Sequence, residues 1–160
     1  MIEIAENIRK TLNDTLPLLQ NITDQEAAMR PVPEKWTKKE ILGHLIDSAC
    51  NNQQKFVRTM AQKDLDFVGY QQNHWVDVQK YASADWNNLI DLWHSFNLHI
   101  AHIIENVSPD VLENTINIEG AGTFTLKFIM QDYGEHLKHH LKQILPTADL
   151  ESKFQNIYNT

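Results

Sequence analysis

Apolar residues recur every three or four positions along most of this chain. Ile4, Ile8, Leu12, Leu16 and Leu19 mark one face of a helix over residues 3–20, and Pro17 is expected to kink or shorten its last turn. Thr23 to Glu26 has the form of a capping box that opens a short helix, which Pro31 and Pro33 would stop. A second box, Thr37 to Glu40, precedes Ile41, Leu45, Ala49, Phe56 and Met60, which predicts a second long helix ending near residue 63. Residues 64–84 have no clean period and read as a connection, longer than most in small domains. Trp86, Leu89, Ile90, Trp93, Ile100 and Ile104 predict a third long helix over 85–106, capped by Ser83 or Asp85. Ser108-Pro109-Asp110 suits one further turn. Alternation in Thr115-Ile116-Asn117-Ile118 and Thr123-Phe124, about Gly120-Ala121-Gly122, predicts a small hairpin. Thr125 then caps a fourth long helix over 126–145, ended by Pro146. Residues 1–150 read as one helical domain and 151–160 as a loosely attached tail.

Composition narrows this pattern to an all-α chain. The 160 residues suit one domain with a proper core, and five Gly and five Pro are too few for a turn-dense β protein. Four long helices imply a four-helix bundle. The net charge of −7, with no basic run longer than Lys38-Lys39, makes nucleic acid a poor partner. The single Cys50 cannot build a disulfide framework, and a lone helical cysteine reads as a small buried hydrophobe before it reads as a nucleophile. No charged-then-apolar leader and no apolar run of about 18 residues is seen, so the expected compartment is the cytoplasm and no membrane partner is expected.

Eight histidines are the unusual entry in the composition, because His is the commonest metal ligand. On the fourth long helix His140 falls inside the arc of Leu126, Met130, Tyr133, Leu137, Leu141 and Ile144, with His136 at its edge. His139 points to nearly the opposite side, as a solvated surface residue would. Two histidines at i and i+4 can share one metal, although the pair alone is weak evidence for a metal site. His44, on the second long helix, shares a stripe with Ser48, Asn51 and Lys55. It lies roughly 9 Å from that helix's start, while His140 and His136 lie roughly 7.5 and 13.5 Å from the end of the fourth. The three are level if the second and third long helices run parallel through the 64–84 crossover and the fourth returns antiparallel to the second. A simple up-down-up-down course would offset them by roughly 6–12 Å.

The surrounding residues restrict the chemistry. A zincin peptidase is disfavoured, because Leu137 stands where HExxH needs its general-base Glu, and GxSxG, GxGxxG and Walker A sequences are missing. His94, His99 and His102 point in different directions around the third helix. Asn97, within that helix's apolar face, either lines a pocket or bonds a neighbouring helix. His74 and Trp75, in the crossover, are candidate substrate contacts. Together with Ser48, Asn51 and Asn97 they form the candidate pocket set.

Three stretches carry a family resemblance. Lys35-Trp36-Thr37 with Ile41 to Ser48, the segment Gly69-Tyr70-Gln71-Gln72-Asn73-His74-Trp75-Val76, and Asp132 to Leu145 together resemble the DinB/YfiT-like superfamily. The resemblance runs from about residue 5 to 146. It implies an up-down-down-up four-helix bundle, frequently dimeric, with a divalent metal, zinc or nickel, held by one His on the second long helix and an HxxxH pair on the fourth. Carried over by position, the ligands are His44, His136 and His140. Some relatives are thiol S-transferases that use bacillithiol or mycothiol, and others are named hydrolases. Three neutral imidazoles leave coordination positions open, as in catalytic zinc sites. The expected function is therefore a metal-dependent enzyme of thiol S-transferase type acting on a small molecule. The alternatives are a metal-dependent hydrolase and a metal-stabilised binding or stress-response module without turnover.

Overall fold

The computed structural model describes residues 1–156. In chain order its elements are helices α1 (Ile2–Gln20), α2 (Asp24–Ala28) and α3 (Lys38–Ala61), strand β1 (Asp64–Phe67), helices α4 (Gln72–Val78) and α5 (Trp86–Glu105), strands β2 (Thr115–Ile118) and β3 (Gly122–Thr125), and helix α6 (Leu126–Ile144). Single 3-10 turns lie at Tyr81–Ser83 and Pro109–Val111.

Helix starts follow their caps. Thr23 and Thr37 each close a full capping box with Glu26 and Glu40, and Asp85 and Thr125 cap α5 and α6. Pro17 does not shorten α1, which runs on to Gln20. A proline this near the end withholds one amide from the ladder, while the Asn21 N–H still closes on the Pro17 carbonyl.

The apolar stripes of α1, α3, α5 and α6 meet in one core, where Trp86, Trp93, Phe56, Leu12 and Ile100 are fully buried. The Trp86 indole N–H donates to the Leu19 carbonyl at 3.1 Å, tying the start of α5 to the end of α1. At the other end Arg9 pairs with Glu105 at 2.7 Å. The Lys39 amine donates to the Ala84 carbonyl at 2.6 Å, so α3 and α5 begin side by side. Beyond the end of α5, the Asn114 amide donates to the Thr59 carbonyl at 2.8 Å, near the end of α3. The Lys38 amine donates to the Ile144 carbonyl at 2.8 Å, so α6 ends where α3 begins.

The segment expected to be a plain connection is structured, and the chain is not purely helical. β1 pairs in parallel with β2, Asp64 opposite Thr115 and Phe67 opposite Ile118, and β2 pairs antiparallel with β3. Leu65, Phe67, Ile116 and Ile118 alternate inward and are buried. Gly120 and Gly122 supply the hairpin's positive φ angles of 78° and 108°, which a side chain would resist. After α4 the chain is pinned back on α3, since the Tyr81 hydroxyl and the Gln79 amide each donate to Asp47 Oδ1 at 2.7 Å.

The C-terminal segment is not loose over its described part. The Lys142 amine donates to the Leu150 carbonyl at 3.0 Å, the Ser152 hydroxyl to the Glu135 carbonyl at 2.8 Å, and the Lys153 N–H to Glu135 Oε2 at 2.6 Å. The last part of the expected tail, residues 157–160, lies outside the described residues. Among the described residues no helix is long and apolar enough to cross a membrane.

Candidate metal centre

The Thr37 capping box sets the register of α3, and that register turns His44 toward α6 until only 2% of it is exposed. On α6, His136 and His140 lie one turn apart on the same face. One ring nitrogen from each of His44, His136 and His140 falls within 4.8 Å of the others, and this is the cluster of such donors found among the described residues. The Nε2 atoms of His44 and His136 are 3.3 Å apart. Two ligands about 2.0–2.1 Å from one tetrahedral zinc would be separated by about 3.3–3.4 Å.

The Gln143 contact sets one tautomer: His140 Nδ1–H donates to Gln143 Oε1 at 3.2 Å, which leaves its Nε2 lone pair directed elsewhere. His136 Nδ1 shares a hydrogen bond of 3.4 Å with the Ser48 hydroxyl. The same Gln143 amide donates through Nε2 to His139 Nε2 at 3.1 Å. The His44 ring is held by packing, 5.2 Å from Trp36 and 4.7 Å from His140, and its Nδ1 is buried without a hydrogen-bond partner. Turning three desolvated imidazoles toward one point is costly unless a shared cation takes up their lone pairs. The donor set thus fits a divalent metal ion. We expect Gln143→Leu and Ser48→Ala each to weaken zinc binding by roughly 10–100-fold, read by competition with a chelating dye; unchanged affinity in both would remove their orienting role.

Burial keeps all three rings neutral. It pushes His44 down to about 3, with His140 adding to the effect, and His140 down to about 4, partly opposed by the Gln143 bond. Burial and the neighbouring His140 hold His136 well below the ordinary imidazole value. In an unfolded chain these groups take up protons at about pH 6.5, whereas the native metal-free protein refuses them until far lower pH. The unfolded state is therefore favoured as pH falls from about 6.5 through the native values, by up to ~1.4 kcal/mol per pH unit for each histidine. Urea unfolding of metal-free protein at pH 7, 6 and 5 should show this loss, and His136→Leu should flatten it. A flat profile in the unmodified chain would contradict the buried neutral cluster.

The cluster forms part of the wall of a cavity of about 170 Å³. Ser48 lines it, and so does Tyr70, against which the Trp75 ring packs at 4.9 Å, tilted by 54°. The other candidate pocket residues lie elsewhere. Asn51 is buried and bonds the Asp47 carbonyl at 2.9 Å, and Asn52 lines the cavity in its place. His74 is exposed. Asn97 is buried in the core, where it donates to the Trp93 carbonyl at 2.8 Å and accepts from the Tyr133 hydroxyl. His139 is half-buried at the cavity wall, its ring 5.0 Å from His140 and 5.3 Å from Phe154, so it is not the solvated residue that helical geometry implied. Cys50 is exposed and outside the cavity, not a buried hydrophobe. Gln143, Tyr70, Lys55 and Phe154 are cavity or cluster residues that the sequence did not single out as site residues. Gln143, one turn beyond His140, carried a usable signal; Phe154, whose ring lies 5.0 Å from His136, did not.

The sequence profile of the DinB superfamily matches residues 7–144. The chain belongs to the DinB superfamily. Within the superfamily it is 24% identical over 109 residues to a Bacillus mycoides (strain KBAB4) protein provisionally named a metal-dependent hydrolase. That match covers 68% of this chain and 62% of the relative, so it spans less than two thirds of that protein's length. Among solved structures, YfiT from Bacillus subtilis, described as a probable metal-dependent hydrolase with an unusual four-helix bundle topology, aligns with a TM-score of 0.81 at 15% identity. The alignment covers 90% of this chain and 83% of YfiT. The mycothiol-dependent maleylpyruvate isomerase aligns with a TM-score of 0.72 at 12% identity, over 96% of this chain and 61% of the isomerase. At these identities the two structures share the DinB-like fold with this chain.

Proposed function

We propose that this DinB-superfamily protein is a metal-dependent enzyme of thiol S-transferase type, with His44, His136 and His140 holding one zinc or nickel ion. The observation that carries this reading is the cluster of three imidazole nitrogens within 4.8 Å, without a carboxylate or thiol among them, in the wall of a cavity. A divalent ion held there would supply Lewis acidity, favouring an anionic nucleophile over its protonated form near neutral pH. The chain supplies the rest. Ser48 and Gln143 orient the rings, burial keeps them unprotonated, and Trp36 and Phe154 pack on His44 and His136 to restrict water.

The paired helix ends described above support an up-down-down-up course, which brings His44 level with the α6 pair. The substrate is a small molecule and the nucleophile a low-molecular-weight thiol. We place the protein in the cytoplasm, a reading that the single cysteine supports, and as a homodimer, which the family resemblance supports. A second reading, metal-dependent hydrolysis, is favoured by the names carried by the Bacillus mycoides relative and YfiT.

Zinc- and nickel-loaded protein should conjugate at least one of a panel of low-molecular-weight thiols to a chromogenic electrophile faster than His140→Ala does. Equal rates across the panel count against thiol transfer. Ester or amide hydrolysis by the loaded protein alone selects the hydrolase, and inactivity in both assays leaves a metal-stabilised binding module.

A further inference from the structure

Beyond Ile144 the chain doubles back along α6. Leu150 is buried and its carbonyl is held by Lys142, yet Ser152 and Lys153 already bond Glu135, well up the helix. The helix from Glu135 to Ile144 spans about 13.5 Å, whereas the chain from Ile144 to Lys153 could reach about 30–32 Å. The tether is slack, so contacts and not chain length set this course. Residues 151–156 form no helix or strand of their own. The Ser152 hydroxyl donates to the Glu135 carbonyl at 2.8 Å, and the Lys153 N–H donates to Glu135 Oε2 at 2.6 Å. The Phe154 N–H donates to Ser152 Oγ at 3.1 Å, and the Phe154 ring lies edge-on to His136 at 5.0 Å and 5.3 Å from His139. Phe154 and Asn156 both form part of the cavity wall. The segment thus closes the side of the cavity that carries His136 and His139. Its hydrogen bonds and one half-buried ring stand against the conformational freedom that released residues regain, and the opposing contributions are similar in size. A segment so balanced opens locally, with α6 and the core intact.

We propose that residues 151–156 are a strap that opens about Leu150, and that Phe154 is its gate, controlling passage between solvent and His136. The strap stands on the contacts above. Only the identity of what passes, a metal ion and then the substrate, rests on the metal-centre reading. A gate slows arrival and departure alike and leaves affinity unchanged, whereas a ring that merely supports His136 changes affinity through release.

The first probe needs no metal. Diethyl pyrocarbonate acylates unprotonated imidazole, and at about pH 8 a histidine is unprotonated whether buried or exposed. Its rate at His136 in metal-free protein, followed by peptide mass spectrometry against the exposed His74, therefore reports access. Phe154→Ala should raise that ratio about fivefold or more. Ser152→Ala, which loosens the strap and keeps the ring, should raise it part of the way, and Phe154→Leu, which keeps an apolar cover, should stay within about twofold. The urea midpoint should move little in all three, because Ser152 and Phe154 lie outside the core. A ratio unchanged in Phe154→Ala, or one that rises only together with a lowered urea midpoint, overturns the proposal. The second probe is zinc, followed by stopped flow on binding and by excess chelator on release. Phe154→Ala should speed both about fivefold or more, with the affinity within about threefold of the unmodified protein's. Faster release alone, or unchanged rates in a protein that binds zinc, overturns the gate. Faster acylation in a protein that takes up no zinc upholds the strap and defeats the metal reading alone.

Discussion

Replacing any one of His44, His136 and His140 by alanine should abolish stoichiometric zinc binding, whereas His139→Ala should leave it nearly intact. Loss of a residue that only orients a ligand costs roughly 10–100-fold in metal affinity, and loss of a ligand should exceed that range. The three rings approach as a set, with centroids 4.7 Å apart for His44 and His140 and 4.5 Å for His136 and His140, so two of them cannot recreate the cluster. His139 lies beside this set and touches it through Gln143, so its removal disturbs the orientation of His140 without taking away a ligand. Bound metal stabilises only the native state, so the zinc-dependent rise in melting temperature should disappear in the three ligand variants and survive in His139→Ala. Competition against a chelating dye gives the affinities. Tight one-to-one binding by His44→Ala, or an equal loss in His139→Ala, would place the ligands elsewhere.

The second large effect is one of packing. Gly43 precedes His44, and a Cβ built on it would lie 2.2 Å from Cγ and Cδ2 of Tyr81. Tyr81 is buried and its hydroxyl donates to Asp47, so the ring cannot give way without breaking the contact that pins the crossover to α3. Overpacking costs about 1–3 kcal/mol, and a buried carboxylate stripped of a donor costs a similar amount. Gly43→Ala should therefore destabilise the protein by about 3 kcal/mol or more in urea unfolding and weaken metal binding through the displaced His44. Gly134 is the control. A Cβ there would meet Ile8 at 3.7 Å, an ordinary contact, and helix propensity alone makes Gly134→Ala stabilising by up to ~1 kcal/mol. Similar effects at both positions would show that Tyr81 is not rigidly held.

The long helices and the cluster were readable because their signals are local. Two capping boxes and the three-to-four spacing of apolar residues place the helices to within a residue or two, and they put His136 and His140 on one face. His44 could be matched to that pair only by supposing a parallel course of the second and third long helices, and its place in the set came from the family resemblance. β1 was not readable: Asp64-Leu65-Asp66-Phe67 has only two inward positions, and it becomes a strand through Thr115 and Asn117, which bond Asp64 and Asp66 across 51 residues. Asn51 and Asn52 could not be told apart from periodicity, because both amides fold back on the carbonyl four residues earlier and one residue of rotation decides which side chain lines the cavity. His139 was misplaced for a different reason. A helical wheel ignores what docks on the helix, and Phe154 arrives from a segment whose sequence predicts no structure.

The most direct measurement is X-ray absorption at the bound metal on protein purified without an affinity tag, quantified by elemental analysis. One zinc or nickel per chain, measured at its own edge, with three imidazole nitrogens at about 2.0–2.1 Å for zinc and a further exchangeable light-atom ligand, is the result the three-histidine centre requires. Substoichiometric metal unresponsive to added zinc or nickel, a sulfur scatterer at about 2.3 Å, or four imidazoles around the ion would contradict it.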